Sequence, residues 1–225
     1  MDVHLIGVSP NPEQLPALAA KLTHSNTTIS ELEQSSEKEL QAILDHVMKL
    51  GHTSVVEHTS FTFVIGHVSR SLTHQLVRHR IASYAQQSQR YVNLETPCFI
   101  TPPKIAKNKE MNTAYEQVMN TIWKEYNKLL KLGIPAEDAR YVLPNATCTN
   151  IMVTMNARSL LNFFELRCCL HAQWEIRQLA NKMLKLVKEK APLLFKDAGP
   201  PCQSKGYCPE HNPECPLYPK KGKKE

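Results

Sequence analysis

The sequence predicts an α+β fold, with one domain per protomer and a mixed sheet flanked by long helices. Three observations predict it. Runs of β-branched or alternating residues at 3–8, 60–65 and 147–155 are separated by helical stretches of unequal length, whereas βαβ winding repeats its units evenly. The 225 residues amount to one domain with a small appendage; such a chain buries roughly 70% of its unfolded surface. The seven glycines are too widely spaced for the nucleotide loops of doubly wound folds. The closest pair, Gly199 and Gly206, is seven positions apart; a dinucleotide fingerprint needs spacings of about two and three, and a P-loop about five. Any nucleotide here must be held by side chains and ordinary backbone.

Each element has its own signal. Residues 3–8 form a short β-rich opening strand. Ser36 and Glu39 have capping-box spacing, Leu40, Ile43, Leu44, Val47 and Met48 follow at helical spacing, and Gly51 ends that helix. In 60–65, Phe61, Phe63 and Ile65 share one face of a strand, with Ser60, Thr62 and Val64 on the other. Val68, Leu72, Leu76 and His79 fall on one helical stripe. The stretch 96–109, with Pro97, Pro102 and Pro103, reads as a connection. From Met111 to Leu132 an apolar stripe runs for about five turns and stops at Gly133 and Pro135; Trp123 and Tyr126 on it suit a core or a subunit interface. A short helix over 136–143 is closed by Pro144. Residues 147–155 alternate as a strand, and 159–190 form one long helix that stops before Pro192. Beyond about Phe195, Gly, Pro, Cys and Lys dominate, so a domain over 1–195 and a tail over 196–225 are expected.

Composition narrows the class. With 42% hydrophobic and 21% charged residues the chain is globular, not disordered. No window reaches about 18 apolar residues, so no membrane span or membrane partner is expected. The N-terminus lacks the basic region, apolar run and cleavage site of a secretory signal. Seven cysteines is an odd number, and Cys98, Cys148, Cys168 and Cys169 sit in or near apolar segments as reduced packing thiols do. A cytoplasmic protein is therefore expected. The formal charge is +6, of which 220–225 supplies four lysines less one glutamate, or +3. The rest is mildly basic, which suits an anionic small molecule at least as well as a nucleic acid.

The densest polar segment runs from Arg78 to Tyr91: three arginines, one histidine, two serines, three glutamines, two tyrosines and no acid. Guanidinium groups bind phosphate bidentately, and Ser and Gln donors complete an oxyanion cradle. The same composition suits a solvated basic loop or an RNA or DNA patch, which would bind oligonucleotides with strong salt dependence.

The order of residues is more specific than their composition. Arg78-His79-Arg80, then Ser83, Ser88, Gln89 and Arg90-Tyr91, resembles the signature of the flavin-dependent thymidylate synthases. Gly51-His52-Thr53-Ser54 with Glu57-His58, then Ala139-Arg140-Tyr141-Val142-Leu143-Pro144, then Asn156-Ala157-Arg158-Ser159-Leu160-Leu161-Asn162-Phe163, then Arg167 and His171-Ala172-Gln173-Trp174-Glu175 follow in that family's order. The resemblance covers about residues 1–195 and implies a homotetramer with a mixed α/β core and active sites shared between subunits. It implies reductive methylation of dUMP to dTMP, with carbon from 5,10-methylenetetrahydrofolate and hydride from FAD reduced by NADPH. By it, Gln75, Arg78, Gln86, Gln87, Ser88, Gln89, Arg90 and Arg140 match dUMP-binding positions. Ser54, Arg78, His79, Arg80, Gln86, Asn156, Ala157, Arg158, Asn162 and His171 match the FAD side. Arg167 matches the residue that favours ionisation of the uracil, a catalytic role, and also lies on the dUMP side. Its apolar neighbours Phe163, Phe164, Leu166 and Cys168 argue against a freely solvated arginine.

The family needs no cysteine nucleophile, so Cys148, Cys168 and Cys169 are expected to pack, and Ser88, without a base partner, to bind ligand. His52 and His58 lie in a matched block; His4, His24, His46, His67 and His74 suit structural or exposed positions. Ala85 and Gln86 depart from relatives that carry a polar residue and Glu there, so Gln86 can hydrogen-bond but cannot act as a base. In the tail, Cys202, Cys208, His211 and Cys215 are soft ligands without the tight knuckle spacing of a zinc site. A disordered tail with reducible thiols and no metal is the expectation.

Overall fold

The computed structural model describes residues 1–219; the lysine-rich stretch 220–225, with half the charge excess, lies outside the described residues. The elements run β1 (Asp2–Val8), α1 (Gln14–His24), α2 (Ile29–Glu33), α3 (Glu37–Leu50), β2 (Ser60–Ser69), α4 (Arg70–Leu76), β3 (Ser83–Gln86), α5 (Pro103–Ala106), α6 (Lys109–Lys131), α7 (Ala136–Ala139), β4 (Cys148–Asn156), α8 (Ala157–Arg167), α9 (Trp174–Lys190) and α10 (Pro201–Ser204). The fold is α+β as expected. The sheet, anticipated as mixed, is a four-stranded antiparallel one in the order β1-β2-β4-β3. Among the described residues no helix is long and apolar enough to cross a membrane.

The predicted alternation decides which faces are buried. Phe61, Phe63 and Ile65 of β2 are fully buried, as is Val153 of β4, with Ile151 and Met155 nearly so. Ser36 accepts from Glu39 N at the start of α3, and Gly51 ends it at φ 74°, a left-handed conformation that favours glycine. Asn108 caps α6 by accepting from Met111 N. The stripe that seemed to begin at Val68 belongs first to β2; Ser69 then caps α4 by accepting from Leu72 N at 3.0 Å. The helix expected over 136–143 is one turn, α7, followed by a 3-10 turn at Arg140–Val142.

The long helix expected over 159–190 is two helices. α8 stops at Arg167 and α9 starts at Trp174. Gln173 starts the second by accepting from Glu175 N and Ile176 N at 2.9 and 3.2 Å. Arg177 closes the bend by donating to Leu170 O at 2.7 Å.

The chain divides into two compact units. The first comprises Met1–Asp2, Ile65–Arg78 and Tyr84–Met152. It is built on α6, where Trp123 and Tyr126 are buried as core and not as surface. The Trp123 indole donates to Leu94 O at 2.8 Å, and Phe99 packs against Tyr115 and Trp123 at 5.9 and 6.0 Å. The second unit comprises Val3–Val64, His79–Ser83 and the chain from Val153 on. Its core is a run of aromatic edges: Phe61 on Phe195, Phe195 on Phe164, Phe164 on Phe163. Burying each ring contributes roughly 1.5–3 kcal/mol.

Candidate functional site

In the first unit, the segment after Tyr84 turns from strand to loop, and the hydrogen-bonding of its side chains is specific. Gln86, at the end of β3, donates from Nε2 to Thr73 Oγ1 at 3.0 Å and to Thr149 Oγ1 at 3.3 Å. Both threonines are buried. The two amide protons are thus committed, the side chain cannot flip, and Oε1 is presented as an acceptor. Gln87 is tied to Asn150 twice: its N–H donates to Asn150 O at 2.9 Å, and its Oε1 accepts from Asn150 Nδ2 at 3.4 Å. Ser88 Oγ accepts from Arg90 N at 3.2 Å. Between them, Gln89 Nε2 is buried with no hydrogen-bond partner among the described residues. An unmet buried donor costs about 1–3 kcal/mol, so a ligand acceptor there is favoured.

Two arginines of this unit meet at Glu137 of α7. Arg90 donates from Nε and Nη2 to Glu137 Oε2 at 2.9 and 2.8 Å, and Arg140 Nε donates to the Glu137 carbonyl at 3.0 Å. Burial, then the charge of Arg140, holds Arg70 below the usual guanidinium pKa. Arg70 and Glu137 were not singled out from the sequence. Gln75, on α4, donates to Ser71 O at 3.4 Å, and Arg78 follows the helix, exposed.

In the second unit, the start of α8 gathers the other expected residues. Asn156 caps the helix by accepting from Ser159 N at 2.9 Å. Ala157 is fully buried and its N–H donates to Thr59 O at 2.7 Å, which seats the helix start on the end of the preceding 3-10 turn at Val55–His58. Arg158 is exposed and pairs with Glu57 of that turn. Arg158 and Asn162 are four apart on one helix and share a face. Ser54 and Arg80 are exposed.

His79 is half-buried, its Nε2 2.7 Å from Ser159 Oγ and 3.0 Å from Ser159 O, with Phe163 edge-on at 5.5 Å. Burial lowers its pKa; the bond to Ser159 opposes this and the charge of Arg167 adds to it. Arg167 is the half-buried last residue of α8. His171 lies beyond the bend, and not on the helix that carries Arg167 as a single helix over 159–190 would place it. Its Nε2 lies 3.3 Å from Asn212 Nδ2. His52 and His58 are exposed, His52 stacked on His24 at 6.2 Å.

The cysteine segment is not the disordered tail expected from its composition. As far as Pro219 it is folded into the second unit: Lys205 pairs with Glu165 at 2.7 Å, Asn212 reaches His171, and α10 is a single turn of four residues. Among the described residues no three His, Cys, Asp or Glu side chains are grouped as a metal requires. Cys168 packs as expected, its thiol pushed up to about 12 by burial.

The positions matched by the sequence resemblance thus fall into two sets. Gln75, Arg78, Gln86 to Arg90 and Arg140 lie in the first unit; Ser54, His79, Arg80, Asn156 to Arg158, Asn162, Arg167 and His171 lie in the second. The partners Glu57, Glu137 and Ser159 lie within matched blocks or beside them, but their contacts span 101, 47 and 80 positions.

Known proteins resemble the chain as follows. The family model described as thymidylate synthase complementing protein matches residues 4–193. A flavin-dependent thymidylate synthase of Geobacter sulfurreducens is 50% identical over 218 residues, 96% of this chain and 94% of its own. One from Clostridium tetani is 48% identical, covering 95% and 92%. The crystal structure of PolB, a UMP/dUMP methylase from Streptomyces cacaoi bound with 5-Br dUMP, superposes with a TM-score of 0.75, covering 87% of this chain and 93% of that one; at 23% identity the likeness is one of fold.

Proposed function

The chain belongs to the flavin-dependent thymidylate synthase family, and from that premise we propose that it methylates dUMP to dTMP with 5,10-methylenetetrahydrofolate as carbon donor and FADH2, regenerated by NADPH, as hydride donor. In this reading it works in the cytoplasm as a homotetramer with shared active sites. Residues 1–195 carry the activity and 196–225 extend them. Neither a nucleic acid nor a membrane takes part.

The observation that carries the reading is the unpartnered Gln89 amide, buried between Ser88 and Arg90. It supports a polar ligand on the first unit's residues. Arg90 and Arg140 are the cations for its phosphate. Their hold on Glu137 is through an exposed ion pair and a backbone carbonyl; exposed pairs of that kind are worth about 0–1 kcal/mol, so a phosphate dianion displaces the carboxylate easily. Gln75, Arg78, Gln87 and Ser88 add donors around the nucleotide. Gln86 offers Oε1 as an acceptor to an N–H of the base, and a neutral amide takes no proton from it.

The second unit's donor set fits a flavin dinucleotide. Arg80 and Arg158 are exposed cations, Arg158 paired with the carboxylate of Glu57. Arg158 lies in the first turn of the eleven-residue helix α8, whose dipole favours a pyrophosphate although Ala157 N and Ser159 N are already spent on Thr59 O and Asn156 Oδ1. Asn156, whose oxygen is used in the cap, keeps its amide NH2 to donate to a ring carbonyl. Ala157 leaves the helix start free of a bulky side chain, and Ser54, His79, Asn162 and His171 complete the second unit's set. The bound flavin supplies the hydride. Arg167 supplies a fixed cation that stabilises negative charge developing on the pyrimidine.

Tritium release from 5-tritiated dUMP tests the reading, with FAD, NADPH and methylenetetrahydrofolate present and each omitted in turn. Release that needs all three, with dTMP formed, is the expected result. Folded, flavin-loaded protein that releases no tritium overturns it.

A further inference from the structure

The chain beyond the family match at 4–193 is fastened to the bend between α8 and α9 at two points that flank Arg167. On the near side Lys205 Nζ pairs with Glu165 Oε1 at 2.7 Å; on the far side Asn212 Nδ2 lies 3.3 Å from His171 Nε2. The segment that makes these contacts is itself built of turns closed by backbone bonds. His211 N donates to Cys208 O at 3.2 Å, Cys215 N to Asn212 O at 3.2 Å and Tyr218 N to Cys215 O at 2.8 Å. The Cys202 thiol agrees with this placement: burial, then the Cys169 thiol on the bend, then those of Cys215 and Cys208, hold it above its ordinary pKa.

The contact at His171 has a fixed sense. Glu214 N donates to Asn212 Oδ1 at 3.0 Å. A backbone N–H only donates, so the side-chain atom that it meets is the amide oxygen, and the NH2 group is the one turned to His171. That group has no lone pair to offer, so Nε2 of His171 meets it as an acceptor. In the neutral ring the hydrogen therefore sits on Nδ1.

We propose that Asn212 is a positioning residue for the flavin side of the site: it holds His171 with Nε2 as acceptor, so that Nδ1–H is the donor which the imidazole offers to an oxygen of the bound flavin. The role rests on the reading that the second unit holds FAD with His171 in its donor set. Asn212 acts through His171, from outside the stretch that carries the chemistry. His171 has need of such a tie. It is exposed and lies in the link 168–173, between the last residue of α8 and the first of α9, where no helix holds it. A histidine held in the opposite tautomer presents a lone pair and suits an N–H instead. The segment therefore sets which kind of flavin atom this ring can read.

The test uses the full chain labelled with ¹⁵N-histidine, first without flavin, with His171 assigned by the signal lost in His171→Gln. Proton–nitrogen correlation spectra at about pH 8.5, above the ordinary histidine range, are expected to show Nδ1 protonated and Nε2 unprotonated. A protonated Nε2 in the wild-type protein overturns the proposal. Asn212→Asp keeps the bond from Glu214 N but puts an acceptor where the NH2 group stood, and is expected to move the hydrogen to Nε2. A residue that merely supports the fold would not reverse the tautomer. Asn212→Ala is expected to mix the two forms. Both variants should bind FAD about 2- to 10-fold more weakly, the effect of one lost hydrogen bond at an exposed site. An Asp variant with the wild-type tautomer, or Ala and Asp variants with wild-type FAD affinity, overturn the positioning role. If the wild-type protein binds no FAD, the flavin reading falls while the unliganded spectra still decide whether Asn212 sets the state of His171.

Discussion

The two units hold similar residues in different states of readiness. In the first, Arg90 is paired with Glu137 at the surface, with side chains 52% and 45% exposed, and a buried Gln89 amide has no partner. In the second, the buried polar groups are already matched: Ser159 to Ile81 and His79, Asn156 to Ser159 N, Ala157 N to Thr59 O. The first unit keeps an unmet donor and loosely held cations, the chemistry of a site that a small ligand enters and leaves. The second has its hydrogen bonds spent on a rigid helix start, the chemistry of a seat for a group that stays. Their arginines do not distinguish them, since Arg158 is held by Glu57 much as Arg90 is held by Glu137.

This contrast can be broken in several ways. The largest effect is expected at Arg167: Arg167→Ala should lower kcat about 100- to 1,000-fold, the usual loss when a preorganised charge is removed, with dUMP affinity little changed in equilibrium binding. Next, Arg90→Ala should weaken dUMP binding about 10- to 100-fold, the loss of one charge-assisted pair, while FAD affinity stays as it is; a parallel loss of flavin in titrations would erase the distinction between the units. Gln89→Leu removes a donor that has no partner in the free protein. It should leave the melting temperature equal or higher and still weaken dUMP about 5-fold or more, two measurements that move in opposite directions only if the amide serves a ligand.

The pH response sharpens the contrast from the other side. His79 is held below the ordinary histidine value, chiefly by burial, so the unfolded chain takes up a proton on this residue before the folded one does. The stability it contributes is complete above about pH 6.5 and is lost as pH falls through the lowered folded value. Thermal melts from pH 7.5 to 5.5 should show this decline, and His79→Asn should flatten it. The smallest effect is Glu137→Gln, whose exposed pair should change stability by less than about 1 kcal/mol in urea melts.

Much of this was legible in the sequence, for physical reasons that also explain the misses. β2, β4, α3 and α6 declare themselves because one face is apolar and a cap or glycine marks the end. α1 does not: Pro16 sits within its first turn and Glu13 makes no side-chain cap. The break between α8 and α9 depends on Gln173, a residue type that is not a favoured cap. β3 lies in so polar a segment that no alternation shows. For the site, residue identities and order carry the resemblance, yet Glu137, Glu57 and Ser159 become partners only through contacts between distant positions, which spacing along one chain does not reveal. Arg70 likewise has no local signal to set it apart from a solvated arginine.

The pair of buried threonines beneath Gln86 has one more consequence. A hydroxyl is a rotor with reversible polarity. Against the Gln86 amide, Thr73 and Thr149 turn their lone pairs outward; against a carboxylate Thr149 can rotate its proton inward, whereas Thr73 already spends its own on the Arg70 carbonyl. The two hydroxyls under position 86 are therefore unequal: one can reverse its polarity to meet a Glu side chain, and the other stays an acceptor for as long as it holds the Arg70 carbonyl.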